Sequence, residues 1–142
     1  MAIRKLNTKD YNKIIHVWKE AGLPIKKHGR DHYNRIKDQL ESKRIIILGY
    51  EEDDEIRGLV LLSQDGRKGW INRLAVVPKY QRQGIASKLL IETEKTFLKQ
   101  GIEVFGALIF EDNDASIQCF KNAGFNIWDE VKYFSKRLSD ES

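Results

Sequence analysis

Cysteine is almost missing from this chain: among 142 residues only Cys119 carries a thiol. No internal disulfide can form, and cysteine-based zinc sites are excluded. A reducing compartment fits, and a cytoplasmic protein is expected. No apolar run approaches the roughly 18 residues that span a bilayer, and the N-terminal MAIRKLNTKD lacks the apolar core of a leader peptide. Neither a membrane nor an export route is expected. Charge of one sign is not concentrated anywhere. The 25 basic and 21 acidic residues leave a formal charge of only +4 and are interspersed, as in RIKDQLESKR and EEDDEIR. There is no basic block of the kind that binds nucleic acid. Linkers, repeats and low-complexity tracts are also lacking, so residues 1–142 read as one domain, long enough to bury a real core.

What is present alternates between strand and helix patterns. Ile3 to Leu6 reads as a short strand. Thr8 is expected to cap a helix whose Tyr11, Ile14, Ile15 and Trp18 recur at helical spacing, ending at Gly22 and Pro24. A second helix is predicted from Asp31 to Lys43. RIIILGYEE, EIRGLVLLS and GWINRLAVV read as three strands joined by Asp53-Asp54 and Asp65-Gly66 turns, an antiparallel meander. Ile85 to Lys99 is a helix stopped by Gly101, and VFGALIF is a continuous apolar run expected to be a strand buried on both faces. A short helix from Ala115 to Ala123 closes at Gly124, and FNIW with VKYFSKRL should form a final strand pair. The order is β-α-α-β-β-β-α-β-α-β-β, an α/β (α+β) fold with a mixed central sheet. LAVV and VFGALIF, separated by a helix, should be parallel neighbours.

The segment YQRQGIASKLL lies at that crossover. The first amides of a helix have no intrahelical partner and carry part of the positive end of the helix dipole. Gly84 and Ala86 would let an anion such as a pyrophosphate approach them closely, with Arg82 and Lys88 adding charge. The segment is neither a Walker loop nor a G-x-G-x-x-G fingerprint, so nucleotide hydrolysis and hydride transfer lose support. A strand-to-helix turn that merely packs is the structural alternative.

LAVVPKYQRQGIASKLL resembles the acyl-CoA-binding segment of the Gcn5-related N-acetyltransferase (GNAT) family, a strand ending in proline followed by [QR]-x-x-G-x-[GA] at a helix start, here Gln81-Arg82-Gln83-Gly84-Ile85-Ala86. NDASIQCFKNAGF resembles a second family segment, N-x-x-A-I-x-x-Y-x-x-x-G-F, with Asn113, Ile117, Gly124 and Phe125 in register. The element order is also similar along essentially the whole chain.

The resemblance implies direct transfer of an acetyl group from acetyl-CoA, as cosubstrate, to a primary amine, with the cofactor in a splayed gap between LAVV and VFGALIF. It implies cofactor contacts from Leu74, Ala75, Val76, Asn113, Ser116 and Phe120, and a pyrophosphate held by the amides of Arg82, Gln83, Gly84, Ile85, Ala86 and Ser87 beside Gln81. The Leu74 amide would stabilise the tetrahedral oxyanion.

An amine attacks only when neutral, so a group must take its proton. Glu111 and Asp112, beside Asn113, are the best-placed acids, although one of them, Asp112 first, is also placed to cap the following helix. Phe120 departs from the family pattern, which has a proton-donating tyrosine there. Ser116 or Tyr133 could supply a hydroxyl, and a thiol of pKa ~8.5 also leaves as a thiolate.

Cys119 at an apolar helical position reads as core, and His28 with His32 has no evident third ligand, so no metal is expected. The resemblance also implies that GLPIKKHGRDHY lines the acceptor pocket, with Lys121 near the adenosine end. Trp18, Trp70 and Trp128 are expected in the core, while Asn72 and Arg73 face cavity or solvent. The acceptor is a small-molecule amine or, alternatively, a lysine or N-terminal amine of a protein. A non-catalytic acyl-CoA-binding module is the reading from a different class, raised by Phe120. An exposed C-terminal hairpin edge points to a homodimer.

Overall fold

The computed structural model describes residues 2–140, so Met1, Glu141 and Ser142 of the expected domain lie outside the described residues. The elements run β1 (Ile3–Lys5), α1 (Tyr11–Glu20), α2 (Tyr33–Glu41), β2 (Ile45–Glu52), β3 (Glu55–Gln64), β4 (Gly69–Val76), α3 (Ile85–Lys99), β5 (Phe105–Ala107) and α4 (Asp114–Asn122). The sheet order is β1-β2-β3-β4-β5, antiparallel except for the parallel β4–β5 pair.

The strand alternation sorts apolar side chains to two faces. Ile47, Leu59, Ala75 and Val77 point to a core with Ile14, Val17 and Trp18 of α1 and Ile36 of α2. Ile46, Leu48, Val60, Leu62 and Ile71 point to the other, against Ile85, Leu89, Leu90 and Phe97 of α3 and Phe120 of α4. With period two, neighbouring residues of one strand serve opposite cores. The sheet is thus the middle of three layers.

The hairpin turns follow from their residues. Asp53 and Asp54 both take left-handed φ, at 53° and 61°, as a tight two-residue hairpin turn requires. At the next turn Asp65 Oδ1 accepts the N–H groups of Arg67 and Lys68, both at 2.8 Å.

Four expectations are corrected. The first helix is entered through a 3₁₀ turn, Thr8–Asp10, which Asn7 caps, and the residue at the N-cap of α1 itself is Asp10 rather than Thr8. Asn7 Oδ1 accepts from Lys9 N–H at 2.9 Å while the Asp10 carboxylate accepts from Asn7 N–H at 2.9 Å; the extra turn moves the side-chain cap one residue back.

VFGALIF joins the ladder only at Phe105–Ala107, and Val104, Leu108 and Phe110 are exposed. The reason is that β5 is the sheet's edge: among the described residues no strand follows it, and FNIW and VKYFSKRL form no pair. Apart from Phe125, which is half-buried against Phe105 and Phe120, their apolar side chains lie open to solvent, Phe134 at 90% exposure. The alternating pattern prescribes a strand with one buried face, but a hairpin with nothing under it is marginal.

Trp18 is core as expected, whereas Trp70 and Trp128 are exposed. Trp70 stands on the strand beside β5 and Trp128 in the C-terminal segment, which among the described residues has no strand to cover it. No helix of the described residues is long and apolar enough to cross a membrane.

Candidate active site

The site begins with an interrupted strand pair. β4 and β5 are in register at Gly69 with Phe105, Trp70 with Gly106 and Ile71 with Ala107, and there pairing stops. On the other side of β4, Leu62 pairs with Ile71 but Leu61 pairs with Arg73. Asn72 is the extra residue of a β-bulge, which bends the strand that carries it. Beyond the bulge, Val77 N–H donates to Arg57 O at 2.9 Å. In an antiparallel ladder the backbone groups alternate direction, so Ala75 faces β3, and the N–H and C=O of Leu74 and Val76 face the side that β5 has left. Of the three residues expected at the cofactor arm, Leu74 and Val76 have this orientation and Ala75 does not. Gln81 Nε2 reaches Val76 O at 3.2 Å, bridging the open edge and the following turn.

That turn is shaped by two left-handed residues, Arg82 at φ 65° and Gly84 at φ 80°. Gly84 is the N-cap of α3 with no side-chain cap bond, and the helix ladder starts with Lys88 N–H on Gly84 O at 3.1 Å. The amides of Ile85, Ala86 and Ser87 therefore precede the ladder. A β-carbon placed at Gly84 would meet nothing within 4 Å, and Gln81, Arg82 and Gln83 are exposed, so the space above the turn is open to a ligand. Ile85 is buried against Gly58, which leaves only its amide facing the turn.

Lys88 lies over the Tyr50 ring, 5.6 Å from its centroid, away from the role of extra charge at the turn. The turn is held from below. Tyr80 O–H donates to Glu55, and the Arg57 guanidinium stacks on the Tyr80 ring 4.3 Å from its centroid.

The second motif folds at the opposite wall. Asn113 caps α4, its Oδ1 accepting Ser116 N–H at 3.2 Å, so the cap expected of Asp112 or Glu111 belongs to Asn113. Glu111 and Asp112 are left exposed in the turn after β5, and Ser116 is half-buried one helical turn before Phe120. The Phe120 ring is buried and meets Phe125 edge-on, centroids 4.9 Å apart; it fills the core. Burial pushes the Cys119 thiol up, while a hydrogen bond with Ser87 opposes the shift and ties the start of α3 to α4. A thiol held protonated in this way is no nucleophile.

Lys121 and Tyr133 are exposed. His32 Nδ1 accepts Asn34 N–H at 3.1 Å and caps α2. No group of three or more His, Cys, Asp or Glu side chains that could hold a metal ion occurs among the described residues.

The sequence reading missed one feature of the site. Arg73, next to Leu74, forms a bidentate ion pair with Asp31 of the α1–α2 connection, at 3.0 and 3.1 Å. Nothing local announces a partner 42 residues away, and Asp31 had the look of a helix start.

Known proteins are similar to this chain along most of its length. The family model described as "Acetyltransferase (GNAT) family" matches residues 3–125. An acetyltransferase of Photorhabdus laumondii is 30% identical over 139 residues, covering 97% of this chain and 96% of that protein. Among solved structures, the PaiA N-acetyltransferase of Thermoplasma acidophilum in complex with coenzyme A superposes with a TM-score of 0.78 at 23% identity, covering 91% of each chain. An aminoglycoside acetyltransferase from an uncultured soil metagenomic sample, in complex with sisomicin, has a TM-score of 0.78 at 17% identity over 96% of this chain and 95% of that one. A family match over so much of the length, on a sheet that parts beside an uncapped helix, means that the chain belongs to the GNAT family of acetyltransferases.

Proposed function

We propose that the protein transfers the acetyl group of acetyl-CoA to a primary amine by direct attack on the thioester. The observation that carries this reading is the adjacency of two sets of backbone donors: the outward-facing groups of Leu74 and Val76 on β4 and the amides that open α3 beyond Gly84. The first set fits an extended amide-bearing arm and the second fits a pyrophosphate. The open space over Gly84 supports the approach of such a ligand to these amides.

Bound acetyl-CoA supplies an acetyl group activated as a thioester. Leu74 N–H donates to the carbonyl oxygen on which negative charge develops. Arg82, Gln83, Gly84, Ile85, Ala86 and Ser87 hold the pyrophosphate through their amides, and the Asn113 amide nitrogen, free of the capping bond, donates to the arm. The attacking amine, with a pKa near ~10.4 for a lysine-type group, gives its proton to Glu111 directly or through one water, with Asp112 adjacent. The nitrogen–carbon bond forms, the carbon–sulfur bond breaks, and the sulfur leaves as a thiolate or takes a proton from Ser116. Phe120 has none to give.

Small-molecule amines and the amine of a peptide both satisfy this chemistry. The exposed turn at Glu111 and Asp112 supports access by either. A homodimer covering Tyr133, Phe134 and Leu138 is the quaternary reading, supported by the exposure of these apolar side chains in the C-terminal segment. Sedimentation of the wild type against Phe134→Ser tests it: a dimer that becomes monomeric is expected, and a wild-type monomer overturns it.

The functional reading is tested by thermal unfolding with acetyl-CoA, CoA, ATP and NAD, followed by thiol release with sisomicin, a diamine and a peptide with a free N-terminus. Saturation at a hundredfold excess over Kd adds about 2.7 kcal/mol to native stability. Selective stabilisation by acetyl-CoA and CoA, with amine-dependent thiol release, is the expected result. Equal responses to all four ligands, or none, would remove the reading.

A further inference from the structure

The α1–α2 connection, residues 21–32, contains no helix or strand of its own, yet its single carboxylate is among the most enclosed charges in the molecule. Asp31 is 3% exposed. Its two oxygens take the Nη1 and Nη2 donors of Arg73 at 3.1 and 3.0 Å, and Oδ2 also accepts Lys26 N–H at 2.7 Å. The main chain at Asp31 is tied as well: its N–H donates to Lys26 O at 2.9 Å, and its carbonyl accepts Tyr11 O–H at 2.7 Å. The Arg73 guanidinium lies flat over Trp18, 4.3 Å from the ring centroid. The pair is thus held by the indole beneath the guanidinium and by a loop amide beyond the carboxylate.

A buried ion pair contributes little net stability over apolar residues of the same shape, because desolvation offsets the attraction. What it does supply is geometry, since a planar guanidinium and a carboxylate meet in one arrangement. The location makes that geometry matter. Arg73 stands between the bulge residue Asn72 and Leu74, so the residue that grips the loop is covalently joined to the residue whose amide faces the gap. Asp10 with Arg4 is a comparable pair at the other end of the sheet, but it joins β1 to the 3₁₀ turn that directly follows it and lies away from the gap.

We propose that Asp31 and Arg73 are positioning residues for the amine acceptor: the pair locks the α1–α2 loop onto β4 at the height of Leu74 and so sets where the amine stands relative to the thioester carbonyl. This inference rests on the reading of Leu74 as the carbonyl donor and of the 21–32 loop as the acceptor wall. The pair touches neither reacting atom and acts through the two segments it joins. A misplacement of the acceptor by about 1 Å can cost on the order of a hundredfold in rate. Loss of the lock should therefore appear in acceptor parameters and leave the cofactor cradle, on the other side of Leu74, as it was.

The test uses Asp31→Asn, which keeps shape and loses charge, and Arg73→Lys, which keeps charge and loses the fork, with two readouts. Hydrogen exchange of the full-length protein should speed up in residues 22–32 and 72–73 and stay unchanged in residues 74–77, α3 and β2. With the fastest amine of the panel above, acceptor KM should rise roughly tenfold or more and kcat should fall, while acetyl-CoA affinity stays within about twofold. Arg73→Lys should be the milder of the two and is the variant that keeps the test open if Asp31→Asn fails to fold. Unchanged exchange in both segments overturns the lock whether or not the protein turns over, and parallel losses of cofactor and acceptor binding reduce the pair to a fold element. A wild type that ignores acetyl-CoA would remove the parent reading instead, and exchange would still decide whether the pair holds the loop.

Discussion

Gly58 on β3 and Ile85, the first residue of α3, are in contact across the sheet face: a β-carbon at Gly58 would come within 2.9 Å of Ile85 Cγ2 and 3.1 Å of Ala75 O. Neither neighbour moves cheaply, one being a core side chain and the other backbone of β4. Gly58→Ala must displace the start of α3 outward, and overpacking of this kind costs about 1–3 kcal/mol. The amides of Ile85, Ala86 and Ser87 move with it. A lower unfolding midpoint together with weaker acetyl-CoA binding is expected, measured by thermal unfolding with and without ligand. Loss of stability with full ligand stabilisation would show that Gly58 serves only packing.

Gly84 makes the opposite case. Its surroundings are empty within 4 Å, but φ is 80°, so a substitution is penalised by the backbone alone. Gly84→Ala should cost roughly 1–2 kcal/mol, a midpoint shift of roughly 4 °C per kcal/mol. A β-carbon there also projects into the space proposed for the pyrophosphate. Calorimetric titration should therefore show acetyl-CoA affinity falling further than that of the folded fraction alone; a variant that is destabilised yet binds normally would place the ligand elsewhere.

The helix from Ile85 to Lys99 was legible to the residue because both of its ends are written locally, Gly84 at one and Gly101 with φ 77° at the other. The meander was legible for the same reason, each turn being marked by the aspartates and glycine that adopt it. Two things were not. The C-terminal segment has strand-like alternation, yet a period of two says only that one face wants cover and not where the cover is. The Asp31–Arg73 pair depends on the fold bringing a loop onto a strand, and neither residue differs from any other charge in the sequence. In the site itself, the Gly84 turn was readable from its small residues, whereas the cap went to Asn113 because three polar residues in a row each offer an oxygen and only backbone geometry chooses.

Acid should act first at the β1 end of the sheet. Asp10 accepts two donors of Arg4 at 2.9 and 3.1 Å and the Asn7 N–H, and the Arg4 hydrogen bond, ahead of the Asn7 bond, holds its carboxyl below the usual range. Glu51 is lowered chiefly by the same guanidinium. A depressed folded-state pKa means that the unfolded chain binds protons first as pH falls. These carboxylates contribute full stability above their unfolded values, near ~4, and lose it as pH drops through the lower folded values. Urea midpoints should fall steeply from pH 5 to pH 3 in the wild type and less steeply in Asp10→Asn, which is already weakened at pH 7. Identical slopes would show that Asp10 contributes nothing to acid sensitivity.

The base assignment rests on Glu111 standing exposed at the end of β5, close in sequence to the Asn113 cap that fixes the following helix. An exposed carboxylate is a weak base for an ammonium, so its effect must come from position: it accepts a proton only as the nitrogen bonds to carbon and becomes acidic. General base catalysis of this kind contributes about 10²–10⁴-fold. Glu111→Gln keeps the shape and removes the acceptor charge, so kcat should fall by a factor in that range while acetyl-CoA stabilises the variant as it does the wild type. In both proteins the rate should rise with pH up to the pKa of the amine itself, because only the neutral amine has a lone pair with which to attack, and the variant should stay below the wild type throughout. If Glu111→Gln turns over normally and Asp112→Asn does not, the proton goes to the neighbour; if both are active, solvent water takes it, and the turn after β5 serves access alone.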